Sequence, residues 1–137
     1  MSSGITVTDE VDQVFNQLKA HHQYRYVSFR VADDETSIIV DKKEKESTIE
    51  EFIEQLPRDQ PRYYVYDVPY TALDGASRNR LIFVAWSPDT CPVKPKMVFA
   101  SSKVAIKQRL TGCVELQAND FDDVSKEAIL EKAVLGK

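Results

Sequence analysis

The 137-residue chain carries a formal net charge of −4, with 42% hydrophobic and 29% charged residues. This balance is typical of a globular protein and argues against intrinsic disorder, membrane insertion and general nucleic-acid binding. The length fits one folded domain, which we place at residues 1–137. Two cysteines favour a reducing compartment over a disulfide framework.

The first half of the chain predicts two helices and a β-hairpin. Apolar residues recur at helical spacing over residues 8–21, after a threonine that can cap the first turn. Alternation over residues 26–31 predicts a strand, and residues 37–40 predict its hairpin partner. A second helix should follow, because Ser47 and Glu50 match a capping box.

The second half predicts the centre of a sheet and two further helices. Continuous apolar runs at 63–68 and 81–86 indicate strands that are covered on both faces. A long helix is expected over residues 96–110, a short strand over 114–117 and a last helix over 125–134. The order predicts an α/β (α+β) fold, in which helices flank both faces of a mixed sheet of about five strands.

The long helix has an unusual outer face. On a helical wheel, Phe99 and Ile106 share the side that should pack on the sheet, whereas Met97, Ser101 and Val104 lie on the opposite side. A helix packed on a sheet normally turns charged residues to water, so this small and apolar stripe indicates a surface for a partner. Alternatively, another element of the core covers the stripe.

Cations concentrate in the same segment. Residues 90–114 contain no acidic residue and five basic ones, namely Lys94, Lys96, Lys103, Lys107 and Arg109. A basic segment in an acidic protein suits an acidic partner surface. The alternative interpretation is an ordinary solvated helix face.

The sequence contains no evident catalytic arrangement. His21 and His22 lie at a predicted helix end, where they suit the helix dipole better than the role of a base. Neither Cys91 nor Cys113 has a neighbour that would clearly activate its thiol, and the glycines form no phosphate-binding loop. We therefore expect no enzymatic activity, no metal and no cofactor.

Two neighbouring segments resemble the signature of the actin-depolymerising factor/cofilin family. They are Trp86-Ser87-Pro88-Asp89-Thr90 and Lys94-Pro95-Lys96-Met97-Val98-Phe99-Ala100-Ser101-Ser102-Lys103. Shorter matches, including Met1–Ile5 and Gln117–Phe121, extend the resemblance over essentially the whole chain. The resemblance implies the actin-depolymerising factor homology fold, with residues 1–5 as a mobile N-terminal tail.

The resemblance also implies two actin-binding surfaces. The first, used on monomers and filaments, comprises Ser3, Gly4, Lys94, Lys96, Met97, Ser101, Ser102, Val104 and Arg109. The second, used only on filaments, comprises Arg78, Arg80, Glu131 and Lys132. Alternatively, these four residues form a solubilising hairpin tip and a solvated helix end. Phosphorylation of Ser3 is implied as an inactivating switch, unless the tail has no functional consequence.

Four positions depart from the family pattern. Val104 stands where members usually carry an acid, and Leu135 stands where some carry a base. Pro95 replaces a small polar residue, and Gln108 replaces a frequent base. These changes bear most on filament affinity and severing. The run at residues 42–45 is shorter than the basic nuclear-import run of vertebrate relatives, so we expect no dedicated nuclear import.

The implied function is non-covalent severing and depolymerisation of actin filaments, which drives actin turnover in the cytoplasm and the actin cytoskeleton. The expected partners are monomeric and filamentous actin, with phosphoinositides as competing regulators. We expect a monomer that neither binds nucleic acid nor inserts into membranes. The alternatives are a relative that binds filaments without severing them, one that binds a branching complex instead, and a phosphoinositide-binding module; a small enzyme has little support.

Overall fold

The computed structural model describes residues 4–136 and contains the nine predicted elements together with a short first strand and a 3-10 turn. Their bounds in chain order are β1 Thr6–Val7, α1 Asp9–His21, β2 Tyr26–Val31, β3 Ser37–Glu44, α2 Ile49–Glu54, β4 Arg62–Thr71, β5 Ser77–Trp86, α3 Val93–Lys107, β6 Val114–Ala118, the 3-10 turn Phe121–Val124 and α4 Lys126–Leu135. The predicted element types are therefore confirmed.

The strands form one mixed sheet in the order β1-β3-β2-β4-β5-β6. β1 runs parallel to β3 and β6 runs parallel to β5, whereas the other neighbouring strands are antiparallel. The predicted mixed sheet is confirmed. The sixth strand is β1, whose two residues are too few to show an alternating pattern.

Side chains on successive residues of the central strands face opposite layers of helices. Tyr63 and Val65 of β4 pack in the cluster that includes α1 and α3. Tyr64, Tyr66 and Val68 pack in the cluster that includes α2 and α4. The continuous apolar runs of β4 and β5 are thus explained by burial on both sides, and helices flank both faces as predicted.

The starts of two helices differ from the sequence prediction in detail. Thr8 precedes α1, but its hydroxyl makes no capping hydrogen bond and is buried without a partner among residues 4–136. α2 begins with a capping box formed by Thr48 and Glu51 rather than by Ser47 and Glu50. The two reciprocal hydrogen bonds of this box are 2.9 and 3.1 Å long.

α3 begins earlier than predicted, at Val93 rather than at residue 96. Pro95 lies in its first turn, where the backbone N–H groups have no partner within the helix. Proline is therefore compatible with this helix start. The additional turn brings Lys94 into the helix.

The first described residues belong to the folded body. Ile5 is buried among residues of α1 and α3, and the backbone N–H of Thr6 donates to the carbonyl of Thr36 at 3.0 Å. The prediction of a mobile tail over residues 1–5 is therefore wrong at Ile5. Residues 1–3, including Ser3, lie outside the described residues. Between residues 4 and 136, no helix has the length and apolar character needed to cross a membrane.

Candidate functional site

One buried face fixes α3 on the sheet. Phe99, Ser102 and Ile106 are buried, and the Phe99 ring stacks on the ring of Tyr63 at a centroid distance of 4.1 Å. The Tyr63 hydroxyl donates to the carbonyl of Phe99 at 2.5 Å. A tyrosine hydroxyl is protonated at neutral pH, and burial raises the pKa of Tyr63 further, so this hydroxyl is a donor. These contacts orient the opposite face of α3 toward solvent.

The outer face of α3 is exposed and partly apolar, as the helical wheel predicted. Met97 and Val104 expose 65% and 59% of their surface, and Ser101 is exposed between them. Ser101 and Val104 also line an open groove of about 680 Å³ between α3 and β1, together with Ile5 and Arg109. Exposed apolar side chains with a polar rim are typical of a protein-binding surface.

Ser102 does not share this outer face. Its side chain is fully buried, and its hydroxyl donates to the carbonyl of Val98 at 2.6 Å. Ser102 lies three residues after Phe99 and four before Ile106, so helical geometry places it on their side. The assignment of Ser102 as a contact residue is corrected by this burial. Its role is to pack and support the helix, whereas the neighbouring Ser101 faces outward.

Most cations of the basic segment are paired within the chain. Four of the five contact a carboxylate: Lys94 with Glu35, Lys103 and Lys107 with Glu115, and Arg109 with Asp12. The ammonium of Lys96 instead donates to the backbone carbonyl of Asp89 at 3.3 Å. Because these pairs neutralise much of its charge, the segment attracts an acidic partner less strongly than its sequence indicates.

Glu115 ties α3 to β6. Its carboxylate contacts Lys103 and lies 2.7 Å from the ammonium of Lys107. Burial acts to raise the pKa of Glu115, but the two lysines outweigh burial and hold it below its usual range. The carboxylate therefore stays charged at neutral pH and helps to fix the orientation of α3.

The start of the described chain lies beside the same outer face. Gly4 is exposed and adopts a φ of 79°, a conformation that favours glycine. It directly precedes Ile5, which lines the groove next to α3. The described chain start thus reaches the groove through Ile5, which lines it together with Ser101, Val104 and Arg109.

Arg78 and Arg80 lie within β5 on one face of the strand but have different surroundings. Arg78 is exposed and pairs with Asp74 at 2.9 Å. Arg80 is half-buried; its Nε donates to the carbonyl of Ala133 at 3.1 Å, and its Nη2 donates to the hydroxyl of Tyr70 at 3.0 Å. Arg80 therefore joins the β4–β5 hairpin to the end of α4.

This contact brings Arg80 to the C-terminal part of α4, which also carries Glu131 and Lys132. Glu131 is exposed and Lys132 is half-buried on α4, one turn or less from the carbonyl that Arg80 contacts. Gly136 ends α4 with a φ of 72°, and a Cβ there would lie only 3.0 Å from Nη2 of Arg80. Glycine thus permits the close approach of the strand arginine to the helix end.

We expect Arg80→Ala to lower the free energy of unfolding by about 1–2 kcal/mol, because it removes two hydrogen bonds from a half-buried site. Arg78→Ala should change this free energy by less than about 0.5 kcal/mol, because exposed ion pairs contribute little. Urea denaturation of each single variant measures both effects. An unchanged midpoint for Arg80→Ala would mean that Arg80 is only a surface charge.

Two features of the surface were not predicted from the sequence. Leu73 exposes 91% of its surface at the turn between β4 and β5; an apolar residue directly before Asp74 and Gly75 in a turn was the available signal. His22 contacts the buried Asp67 at 3.1 Å. Since 45 residues separate this pair, no local pattern could have indicated their contact.

Comparison with known proteins extends these observations. The family model of cofilin/tropomyosin-type actin-binding proteins matches residues 4–134. Cofilin from Cryptococcus neoformans is 42% identical over 135 residues, which cover 97% of this chain and 98% of the relative. Actophorin from Acanthamoeba castellanii is 41% identical over 133 residues, which cover 96% of each chain.

Solved structures show the same similarity in three dimensions. Streptomyces griseoflavus cofilin matches with a TM-score of 0.87 and 37% identity over 94% of this chain and 96% of that chain. Actin depolymerization factor 2 of Plasmodium berghei matches with a TM-score of 0.82 and 29% identity, over 95% and 98%. The mixed sheet between layers of helices is thus the fold of cofilin-type domains. The chain belongs to the actin-depolymerising factor/cofilin family, a family of non-enzymatic actin-binding proteins.

Proposed function

We propose that this protein binds actin monomers and actin filaments, and that it severs and depolymerises filaments without covalent chemistry. The exposed outer face of α3 is the observation that carries this proposal. Met97 and Ser101 on that face suit insertion into an apolar groove, while Lys94 and Lys96 flank them at the start of the helix. Because the chain belongs to a family of actin-binding proteins, we propose that this groove lies on actin.

The second surface explains how the same protein could act differently on filaments. A monomer offers one actin subunit, whereas a filament offers two adjacent subunits. If α3 contacts one subunit while Arg78 and the C-terminal part of α4 contact its neighbour, the second contact adds affinity as an effectively intramolecular event.

Severing then follows from differential affinity. If both contacts can form only after the filament twists, binding shifts the filament toward the twisted state and weakens the contacts between its subunits. Breakage and faster subunit loss require no nucleotide hydrolysis by this chain. The energy comes from the contacts that the protein makes preferentially with the twisted filament.

Imaging of labelled actin filaments during addition of this protein tests the proposal. We expect breaks along the filament length and faster shortening of the ends. Decoration without breaks would favour the alternative of a filament binder that does not sever. Filaments that are neither decorated nor broken, together with no binding to monomers, would overturn the proposal.

Lys94→Ala combined with Lys96→Ala should weaken binding to monomers and filaments alike. Each charge at the rim of an interface is expected to contribute on the order of 1 kcal/mol, mostly through the association rate and its salt dependence. Stopped-flow association at two salt concentrations measures this effect. Lys126→Ala is a matched control, since Lys126 pairs with Glu50 at 3.1 Å, away from α3. Normal monomer binding by the double variant in moderate salt would show that these lysines are not part of the actin-binding site.

Ser3→Glu should reduce affinity for actin without changing the thermal unfolding midpoint. A phosphate on Ser3 would add about −1.5 to −2 charges next to Gly4, where an acidic partner surface would repel it. Ser2→Glu provides the control with the same net charge, and we expect it to bind more tightly than Ser3→Glu. Equal actin binding by the wild type and Ser3→Glu would indicate that the tail has no regulatory role.

We also propose that the protein acts as a monomer in the cytoplasm, at the actin cytoskeleton, and that phosphoinositides compete with actin for the basic segment. The internal pairing of Lys103 and Lys107 with Glu115 reduces the charge available to a lipid surface. Liposome co-sedimentation with and without actin would rank the two ligands.

A further inference from the structure

A cavity lies where β2 ends, β4 begins and α3 starts. Its volume is about 260 Å³, which is enough for one small ring with a short substituent; sites for larger ligands have roughly 300–1,000 Å³. Met97, Ser101 and Val104, which form the outer face of α3, are not part of its wall. The cavity is therefore a separate feature from the proposed actin-binding surface.

Part of the cavity wall is apolar and fixed in place. The apolar side chains belong to the end of β2, the start of β4 and the first two turns of α3, and they are Val31, Pro61, Pro95, Val98 and Phe99. Phe99 is held by its stack on Tyr63, and the proline rings restrict their own backbone. Because packing already fixes this wall, a ligand would not have to order it on binding.

The polar part of the wall contains two arginines that share one carboxylate. Nε of Arg62 donates to Oδ2 of Asp41 at 3.2 Å, and Nε of Arg30 lies 3.7 Å from Oδ1 of the same group. The other nitrogens of Arg62 donate to the carbonyl of Pro61 and to Oε1 of Gln60. One carboxylate cannot neutralise two guanidinium groups, so positive charge remains on the side of Arg30.

Only a weak partner balances this remaining charge. Nη1 of Arg30 donates to the carbonyl of Val31 at 3.3 Å and to Asp33 at 3.1 Å, but the side chain of Asp33 is 97% exposed. Nη2 of Arg30 has no hydrogen-bond partner among residues 4–136. The other acid of the wall, Glu35, lies 3.5 Å from the ammonium of Lys94. Since exposed ion pairs contribute little, a ligand anion can replace Asp33 at small cost.

We propose that this cavity binds a small organic carboxylate with an aromatic or branched apolar body. The carboxylate accepts hydrogen bonds from Nη1 and Nη2 of Arg30, because a guanidinium group matches the two oxygens of a carboxylate. The apolar body lies against Val98 and Phe99, where it leaves water. A ligand that lacks either half should bind more weakly, which separates this site from a general anion site and from a general apolar one.

Titration of the 137-residue chain with 3-phenylpropionate, followed by amide NMR, tests the site. We expect saturable shifts at Ala32, Gln60, Val98 and Phe99. Acetate lacks the ring and 3-phenylpropanol lacks the charge, so each should bind at least about tenfold more weakly. Absence of saturable shifts, or equal affinity for 3-phenylpropionate and 3-phenylpropanol, would overturn the proposal. Because the titration contains no actin, its result does not depend on the proposed function.

Arg30→Gln tests the role of the guanidinium group. It should weaken binding of 3-phenylpropionate by about tenfold and leave the weaker binding of 3-phenylpropanol unchanged, because only the carboxylate uses Arg30. Arg58→Gln is the matched control, since it removes the same charge from an exposed position between α2 and β4 that does not line the cavity. Equal affinity of Arg30→Gln and the wild type for 3-phenylpropionate would overturn the assignment.

Ala32→Leu tests the cavity without changing any charge. Ala32 lines the cavity and is half-buried, so a larger side chain should occupy the space of the ligand without entering the core. We expect 3-phenylpropionate to bind at least about tenfold more weakly, while the urea denaturation midpoint stays close to that of the wild type. Unchanged binding by this folded variant would place the ligand elsewhere and overturn the proposal, even if Arg30→Gln failed to fold.

Discussion

Met97→Asp combined with Ser101→Asp should lower the affinity for actin monomers by at least about 100-fold, or roughly 3 kcal/mol. The two side chains lie one helical turn apart on the outer face of α3, where we propose that an apolar groove of actin encloses them. Both are exposed in the free protein, so the new carboxylates remain hydrated until binding. In the complex they would lose water without gaining a cation, which is the source of the penalty.

Val104→Asp is the matched control on the same helix face. Members of the family usually carry an acid at this position, so we expect the affinity to stay within about threefold, or roughly 0.6 kcal/mol. A fluorescence titration of labelled monomers compares the variants, and urea denaturation checks that each is folded. Retained affinity in the Met97 and Ser101 variant, or an equal loss in Val104→Asp, would show that the helix binds in another way.

Features encoded by local periodicity could be predicted from the sequence. The continuous apolar runs of β4 and β5 required cover on both faces, and the clusters on either side of the sheet supply it. The wheel of α3 separated Phe99 and Ile106, which are buried, from Met97 and Val104, which are among the exposed large apolar residues. The same periodicity identified the outer face as the candidate site.

The local sequence could not decide which residue caps α2, because two positions match the same motif. Ser47 and Thr48 each have a glutamate three residues later, so both match a capping box. The structure uses Thr48, and α2 begins at Ile49, with Ile49 and Phe52 buried in the core.

Long-range pairing limited what could be predicted about the site. Arg109 pairs with Asp12 across 97 positions of sequence, and Lys103 and Lys107 of α3 pair with Glu115 in the next strand. The sequence of the basic segment therefore suggests more unpaired positive charge than the folded chain presents. The placement of Ser102 in the contact surface came from resemblance, whereas its spacing from Phe99 already indicated the buried side.

Replacing Phe99, which packs α3 against the sheet, should have the largest effect on stability. Phe99→Ala should lower the free energy of unfolding by about 3–5 kcal/mol, because it removes a buried ring and leaves a cavity against Tyr63. Tyr63→Phe keeps the ring stack and removes only the hydrogen bond to the carbonyl of Phe99, so we expect a loss of about 1 kcal/mol. Phe99→Leu should fall between the two variants, since it retains part of the apolar volume.

Urea denaturation ranks the three variants, and hydrogen exchange shows where the structure loosens. If Phe99 holds α3 on the sheet, hydrogen exchange in Phe99→Ala should speed up first at the backbone amides of α3. The amides of β4 should follow later, because β4 stays paired with β2 and β5. An equal rise in the exchange rates of α3 and β4 would mean that the ring stabilises the whole core and does not specifically hold the helix on the sheet. Because the outer face can present Met97 only while the inner face stays docked, selective loosening should also weaken monomer binding in the variants that remain folded.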